Sequence, residues 1–194
     1  MTTWHNTHQP SPLLHLRPTS PEQPVERPSG SLGESGAASE RAVRGADLVG
    51  EREVSALVEL AWGRGARVVA VGAGREGGAV DGVRAVVEAW EAVGGEVALE
   101  LSWPERAASW LRQARRFAAA DAEVWIMLGP PLGWAQMTRR LLWSTPWNPA
   151  RTLLAGEISD PSVLNLVGLH NLPGIAGVTR DGTPWHEATP GADR

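Results

Sequence analysis

A chain of 194 residues, 42% of them apolar, is long enough for one domain with a sizeable core and too short for two full lobes. Its net charge of -4 and pI near 5.7 leave no electrostatic footprint for nucleic acid, and its 18 basic residues, all arginine, are scattered along the sequence. The absence of cysteine excludes disulfides, thiol catalysis and cysteine-ligated metal.

Residues 1–46 are rich in Pro, Ser, Thr, Gly and Glu. Pro10, Pro12, Pro18, Pro21, Pro24 and Pro28 are spaced too closely for a helix or a central strand, so a disordered tail is expected. His5, His8 and His15 lie there without an acidic cluster and read as solvated side chains, not metal ligands. The start lacks the basic-then-apolar order and small-residue cleavage site of a secretory signal, and no run of about 18 apolar residues follows. As encoded, the chain reads as cytoplasmic; a true start further upstream would instead allow a periplasmic or extracellular protein.

From Glu51 the periodicity changes. Val54, Leu57, Val58 and Ala61 recur at i, i+3, i+4 and i+7, which predicts an amphipathic helix stopped by Gly63 and Gly65. Residues 67–71 form a short β-branched run bounded by glycines, a buried strand. Val80, Val83, Val87 and Trp90 mark one face of a helix over 76–93, ended by Gly94 and Gly95. Across 96–102, Val97, Leu99 and Leu101 alternate with Glu96, Ala98, Glu100 and Ser102, as in a strand with one wet face or an edge position.

Pro104 suits the first turn of a third helix, with Glu105 near its positive end and Trp110, Leu111, Ala114, Phe117 and Ala118 on its apolar face. Residues 123–128 are almost wholly apolar and predict the central strand. Gly129-Pro130-Pro131 breaks the chain before a fourth helix with Trp134, Met137, Thr138, Leu141 and Leu142 inward. A fourth strand at 151–155, a helical turn from Asp160-Pro161 through Leu166, and a fifth strand near 175–179 complete the pattern.

The alternation of helix and strand predicts a three-layer α/β fold: a parallel, doubly wound, flavodoxin-like sheet of order 2-1-3-4-5 in a single lobe. That lobe spans 47–180, preceded by the tail at 1–46 and followed by a flexible C-terminal tail at 181–194. Ligands in such sheets sit beyond the carboxyl ends of the strands, at the switch point between the first and third. The loops 72–78 and 129–134 fall there.

Gly72, Gly74 and Gly77 satisfy the dinucleotide fingerprint G-x-G-x-x-G. Two features oppose that reading. The second strand ends in Ser102-Trp103 with no acidic residue for a ribose, and Glu76 beside the helix start would repel a pyrophosphate. Alternatively, the glycines serve only a sharp exit from the strand and close helix packing.

Residues 47 to about 180 resemble the C-terminal lobe of the type I periplasmic binding proteins, in particular the branched-chain amino-acid (leucine-binding) receptors of ABC transporters. The resemblance rests on ARVVAV after a helix, then VRAVVEAWEAVGGEVALELSWPE, ADAEVWIMLGPP, RTLLAGEISDPSVLNLVG and LPGIAGV in that order. It implies a non-catalytic lobe that binds a small, amino-acid-like ligand, with Glu157 at the position that meets the ligand's ammonium. Gly74, Arg75, Glu76, Gly129 and Trp134, on the switch-point loops, would line the same mouth. The partner lobe of such receptors has no counterpart in this sequence, so a homodimer, a separate partner lobe or, for a receptor fragment, an ABC permease is the expected partner.

Catalysis lacks a recognisable signature. His170 and His186 stand in no nucleophile or metal motif, and neither G-x-S-x-G nor G-x-x-x-x-G-K-[ST] occurs. The expectation is therefore a binder with no cofactor. Two alternatives remain: a dinucleotide-binding protein using Gly72 to Gly77, and an interaction module without a ligand.

Overall fold

The computed structural model describes residues 49–187. The tail expected at 1–46, with its three histidines, and the last residues of the C-terminal tail lie outside them. Thirteen residues, Glu51–Gly63, form α1, whose apolar stripe of Val54, Leu57, Val58 and Ala61 is buried and whose first turn carries Glu51 and Glu53 at the positive helix end. There follow β1 (Val68–Gly74), α2 (Ala79–Ala92), β2 (Glu96–Trp103), α3 (Leu111–Ala118), β3 (Val124–Leu128) and α4 (Pro131–Ser144). After a single turn at Pro149–Arg151 come β4 (Thr152–Leu154), α5 (Pro161–Leu164), a turn at Leu169–Asn171, β5 (Ala176–Val178) and β6 (Pro184–His186).

The sheet runs β2-β1-β3-β4-β5-β6. The first five strands are parallel, in the order expected from the sequence. The sixth strand lies within the stretch read as a flexible tail: β6 pairs antiparallel with β5, through a tight turn in which Thr179 N–H donates to Thr183 O at 2.9 Å and Gly182 holds φ +86°. Ordered structure thus extends past residue 180, and Glu187 N–H still donates to Ile175 O.

Two helix starts differ from expectation. α2 begins at Ala79, because β1 continues through Gly74 and the chain needs 75–78 to turn back. α3 begins only at Leu111. The stretch from Pro104 to Trp110 stays a loop, clamped by the Trp110 indole N–H on Pro104 O at 2.8 Å, while Glu105 reaches across to another helix instead of starting its own.

The simple alternation of β2 is also interrupted. Val69 pairs with Val97 but Ala70 pairs with Leu99, so Ala98 is an extra, bulged residue. The bulge turns Val97 toward one helix layer and Leu99 toward the other. At the amino ends of β1 and β3, the exposed Glu123 carboxylate accepts from Arg67 N at 2.5 Å and Val68 N at 3.0 Å, and these N–H groups hold it below the usual carboxylate range.

Helices cover both faces. α1 and α2 pack on one through an aliphatic core including Leu57, Val69, Val71, Val86, Ile126 and Leu153. α3 and α4 pack on the other, where the core is aromatic: Trp103, Phe117, Trp125, Trp134 and Trp147. Among the described residues no helix is long and apolar enough to cross a membrane.

Candidate ligand site at the carboxyl edge

The glycine series does structural work inside the strand. Gly72 and Gly74 belong to β1, not to the turn after it. A Cβ on Gly72 would lie 2.7 Å from both the Trp103 and Phe117 rings, so its absence lets two aromatic side chains close over the sheet. Gly77 supplies the left-handed turn at φ +65°. Gly129 has φ +99°, and a Cβ there would stand 2.9 Å from Gly74 N, so the β1 and β3 exits are in backbone contact at the switch point.

Glu105 occupies that junction. Its carboxylate fills the space that a Cβ on Gly74 or on Gly133 would need. Oε2 accepts from Gly133 N–H at 2.7 Å, in the first turn of α4, where free N–H groups and the helix dipole favour an anion. Oε1 is buried with no partner in the protein. Burial raises the Glu105 pKa, and the charges of Glu76 and Glu157 raise it further against the opposing Gly133 N–H. The space beside Gly74, where a dinucleotide would need close approach to the backbone, is therefore filled by a side-chain carboxylate. This arrangement, with Gly72 and Gly74 inside the strand, argues against a cofactor at the glycine loop.

A second carboxylate braces the same edge from the opposite layer. Glu53, 3% exposed on α1, accepts from Gly156 N–H at 2.6 Å and so ties the loop after β4 to α1. Burial raises its pKa; the N–H groups of Gly156 and Gly50 and the charge of Arg180 lower it, and Glu157 raises it. Glu157 itself is half-buried beside this tie. Glu157 thus acts electrostatically on both braced carboxylates, Arg180 on Glu53 and Glu76 on Glu105.

The other expected site residues divide. Arg75 and Glu76 are exposed just beyond β1; Arg75 N–H donates to Trp103 O at 3.0 Å and its Nε to Ser102 Oγ at 3.2 Å, which turns it toward β2. Gly74 and Gly129 pack against each other at the strand ends. Trp134 does not line the mouth: it is fully buried in the α3–α4 core, because the fourth position of α4 faces the sheet. A cavity of about 440 Å³ opens beside Gly74 between α2 and β2, walled by Val83, Val87 and Leu101 with Arg84, Glu88 and Glu100 at its rim. Its volume is within the range of small-molecule sites.

Sequence reasoning missed Glu53 and Glu105. Glu105 reads as part of a helix start and Glu53 is not singled out, and the N–H groups that Glu53 and Glu105 bind lie 103 and 28 residues away, beyond any local pattern. His170 and His186 are both exposed, and among the described residues no group of three or more metal-ligating side chains is gathered.

The order of the parallel strands and the helix layers on both faces match the fold of a single lobe of the type I periplasmic binding proteins. Solved structures bear this out. An ABC-transporter substrate-binding protein from Sphaerobacter thermophilus matches at TM-score 0.52 and 21% identity over 66% of this chain and 35% of that one. The leucine-binding protein of Thermotoga maritima matches at TM-score 0.56 and 15% identity, covering 66% and 36%. A solute-binding protein from Rhodopseudomonas palustris HaA2, solved with p-hydroxybenzoic acid, matches at TM-score 0.53 and 18% identity, covering 65% and 34%. The chain thus spans about a third of the length of the structures it matches. No protein-family model and no curated sequence matches it.

Proposed function

We propose that the chain is a non-catalytic ligand-binding lobe whose ligand carries an ammonium group, as an amino acid does. The observation that supports this reading is electrostatic. Four carboxylates converge on the carboxyl edge, and Glu105 already occupies the α4 N-terminus, so the mouth favours a cation over an anion. Glu157 meets the ammonium from the loop after β4, and Arg75 and Glu76 flank it above the close-packed junction of Gly74 and Gly129.

One lobe desolvates a ligand on one side only, so tight binding calls for a second lobe, from another copy or a separate chain. In a transport receptor, the reader of the closed state would be an ABC permease and the compartment periplasmic or extracellular. A thermal-shift series with leucine, p-hydroxybenzoate and NAD tests the reading, since a ligand bound by the native state raises apparent stability. The expected result is a shift with leucine that disappears in Glu157→Gln. A shift with p-hydroxybenzoate that survives this change would assign an aromatic acid instead, and a shift with NAD would return the glycine loop to cofactor binding.

A further inference from the structure

The arginines that look scattered in the sequence are sorted by the fold. α3 and α4 carry Arg112, Arg115, Arg116, Arg139 and Arg140 and no acidic residue. α1 and α2 carry the reverse: Glu51, Glu53, Glu59, Asp81, Glu88 and Glu91 against Arg52 and Arg84. Arg84 is moreover paired with Asp81 at 3.3 Å on its own face. The two helix layers lie on opposite sides of one sheet, so the molecule has an arginine face and a carboxylate face. Every charged residue named here except Glu53 and Arg139 is exposed.

Both faces also expose large apolar side chains. Trp143 is 67% and Leu132 70% exposed on the arginine side; Val80 is 51% and Val93 47% exposed on the carboxylate side. Each face therefore offers apolar contact area among side chains of one net charge, and the complementary net charge is on the back of the same molecule. We propose that the arginine face of one copy docks on the carboxylate face of the next, a head-to-tail self-association of this chain. Its contact is heterologous, since the two touching surfaces are different. Surface charges select and steer such a contact, and salt weakens it. The inference does not use the carboxylates of the ligand site; of the residues named here, Val80, Arg84 and Glu88 also border the cavity beside Gly74.

The test is sedimentation velocity at ~0.02 M and ~0.5 M salt, where screening differs several-fold, on three proteins: the unchanged chain, an α3 variant with Arg112→Glu, Arg115→Glu and Arg116→Glu, and an acidic-face variant with Glu59→Arg, Glu88→Arg and Glu91→Arg. The unchanged chain should sediment faster with concentration at low salt and lose about tenfold in association at high salt. Each variant alone, with both faces carrying the same net sign of charge, should stay monomeric. Their equimolar mixture should associate again, because every contact then joins opposite faces. Arg116→Glu with Glu91→Arg, two exposed single changes, repeats the mixture should a triple variant fold poorly. An unchanged chain that stays monomeric at low salt would overturn the inference, as would a mixture that stays dissociated. Pelleting with phosphatidylserine vesicles in place of self-association would overturn it too, by assigning the arginine face to an anionic membrane.

Discussion

The two helix layers solve the same problem with different materials. Beneath α1 and α2 the sheet is covered mainly by Val, Leu, Ile and Ala, and the buried polar groups there are paired: the Trp90 indole N–H donates to Glu96 O at 3.0 Å and Glu53 accepts from Gly156 N–H. Beneath α3 and α4 the space is filled by indoles, and the indole N–H groups of Trp103, Trp134 and Trp147, the Thr138 hydroxyl and Gln113 Oε1 are all buried there without a protein partner. Aromatic filling provides large buried area from few residues, but each unpaired polar atom offsets about 1–3 kcal/mol of it. The aliphatic layer is thus the better satisfied, and the aromatic layer is where substitution can both damage and improve the protein.

The largest expected effect is in the aromatic layer. Trp134→Ala should cost about 3–5 kcal/mol, at or above the about 2–5 kcal/mol of Leu57→Ala in the aliphatic layer, read as a drop in urea midpoint at unchanged slope. A smaller loss for Trp134→Ala than for Leu57→Ala would break the comparison. A gain is expected next: Thr138→Val replaces a buried, unpaired hydroxyl by a methyl of similar shape and should stabilise by about 1 kcal/mol in the same assay. No gain would mean that the hydroxyl has a hydrogen-bond partner in solution.

The smallest effect concerns pH and sharpens the comparison at the edge, where each layer contributes one braced carboxylate. Glu53 has a folded-state pKa above its ordinary value of 4.5, chiefly through burial. The folded chain therefore holds that proton more tightly than the unfolded one, and the resulting stability is present below 4.5 and lost as pH rises through the folded value. Glu53→Gln keeps an acceptor for Gly156 N–H yet cannot ionise, so its urea midpoint should fall less than that of the unchanged chain over this window. The slope that remains belongs partly to Glu105, whose pKa is raised in the same direction. An identical pH profile for the two proteins would show that Glu53 ionises without cost.

Periodicity made most of the fold legible. The stripe of α1, the apolar run of β3 and the inward face of α4 each follow from a local pattern that burial then confirms, and together they give the order of the first five strands. What the sequence concealed depended on distant partners. The fingerprint glycines look like a turn until Phe117 and Trp103 are seen against Gly72. Glu105 after Pro104 has every local mark of a helix start, and only the fold shows that it serves the N-terminus of α4. Trp134 sits beside a glycine-proline loop, as a ligand contact would, and its helical phase turns it inward. β6, a mere three residues with a proline, has too little sequence to announce a strand without β5 beside it.

The bulge at Ala98 has a meaning for the chain in solution. β2 is the long outer strand of the sheet, eight residues without proline or arginine and rich in apolar side chains, the kind of edge that recruits further strands. Because the register slips at Ala98, the unbroken stretch available to an incoming strand is only Leu99 to Trp103, five residues. Stacked fibrillar assemblies build on continuous segments of about six or seven. One bulged alanine, with Glu96 and Glu100 on the same strand, thus holds the regular stretch of this edge below that length.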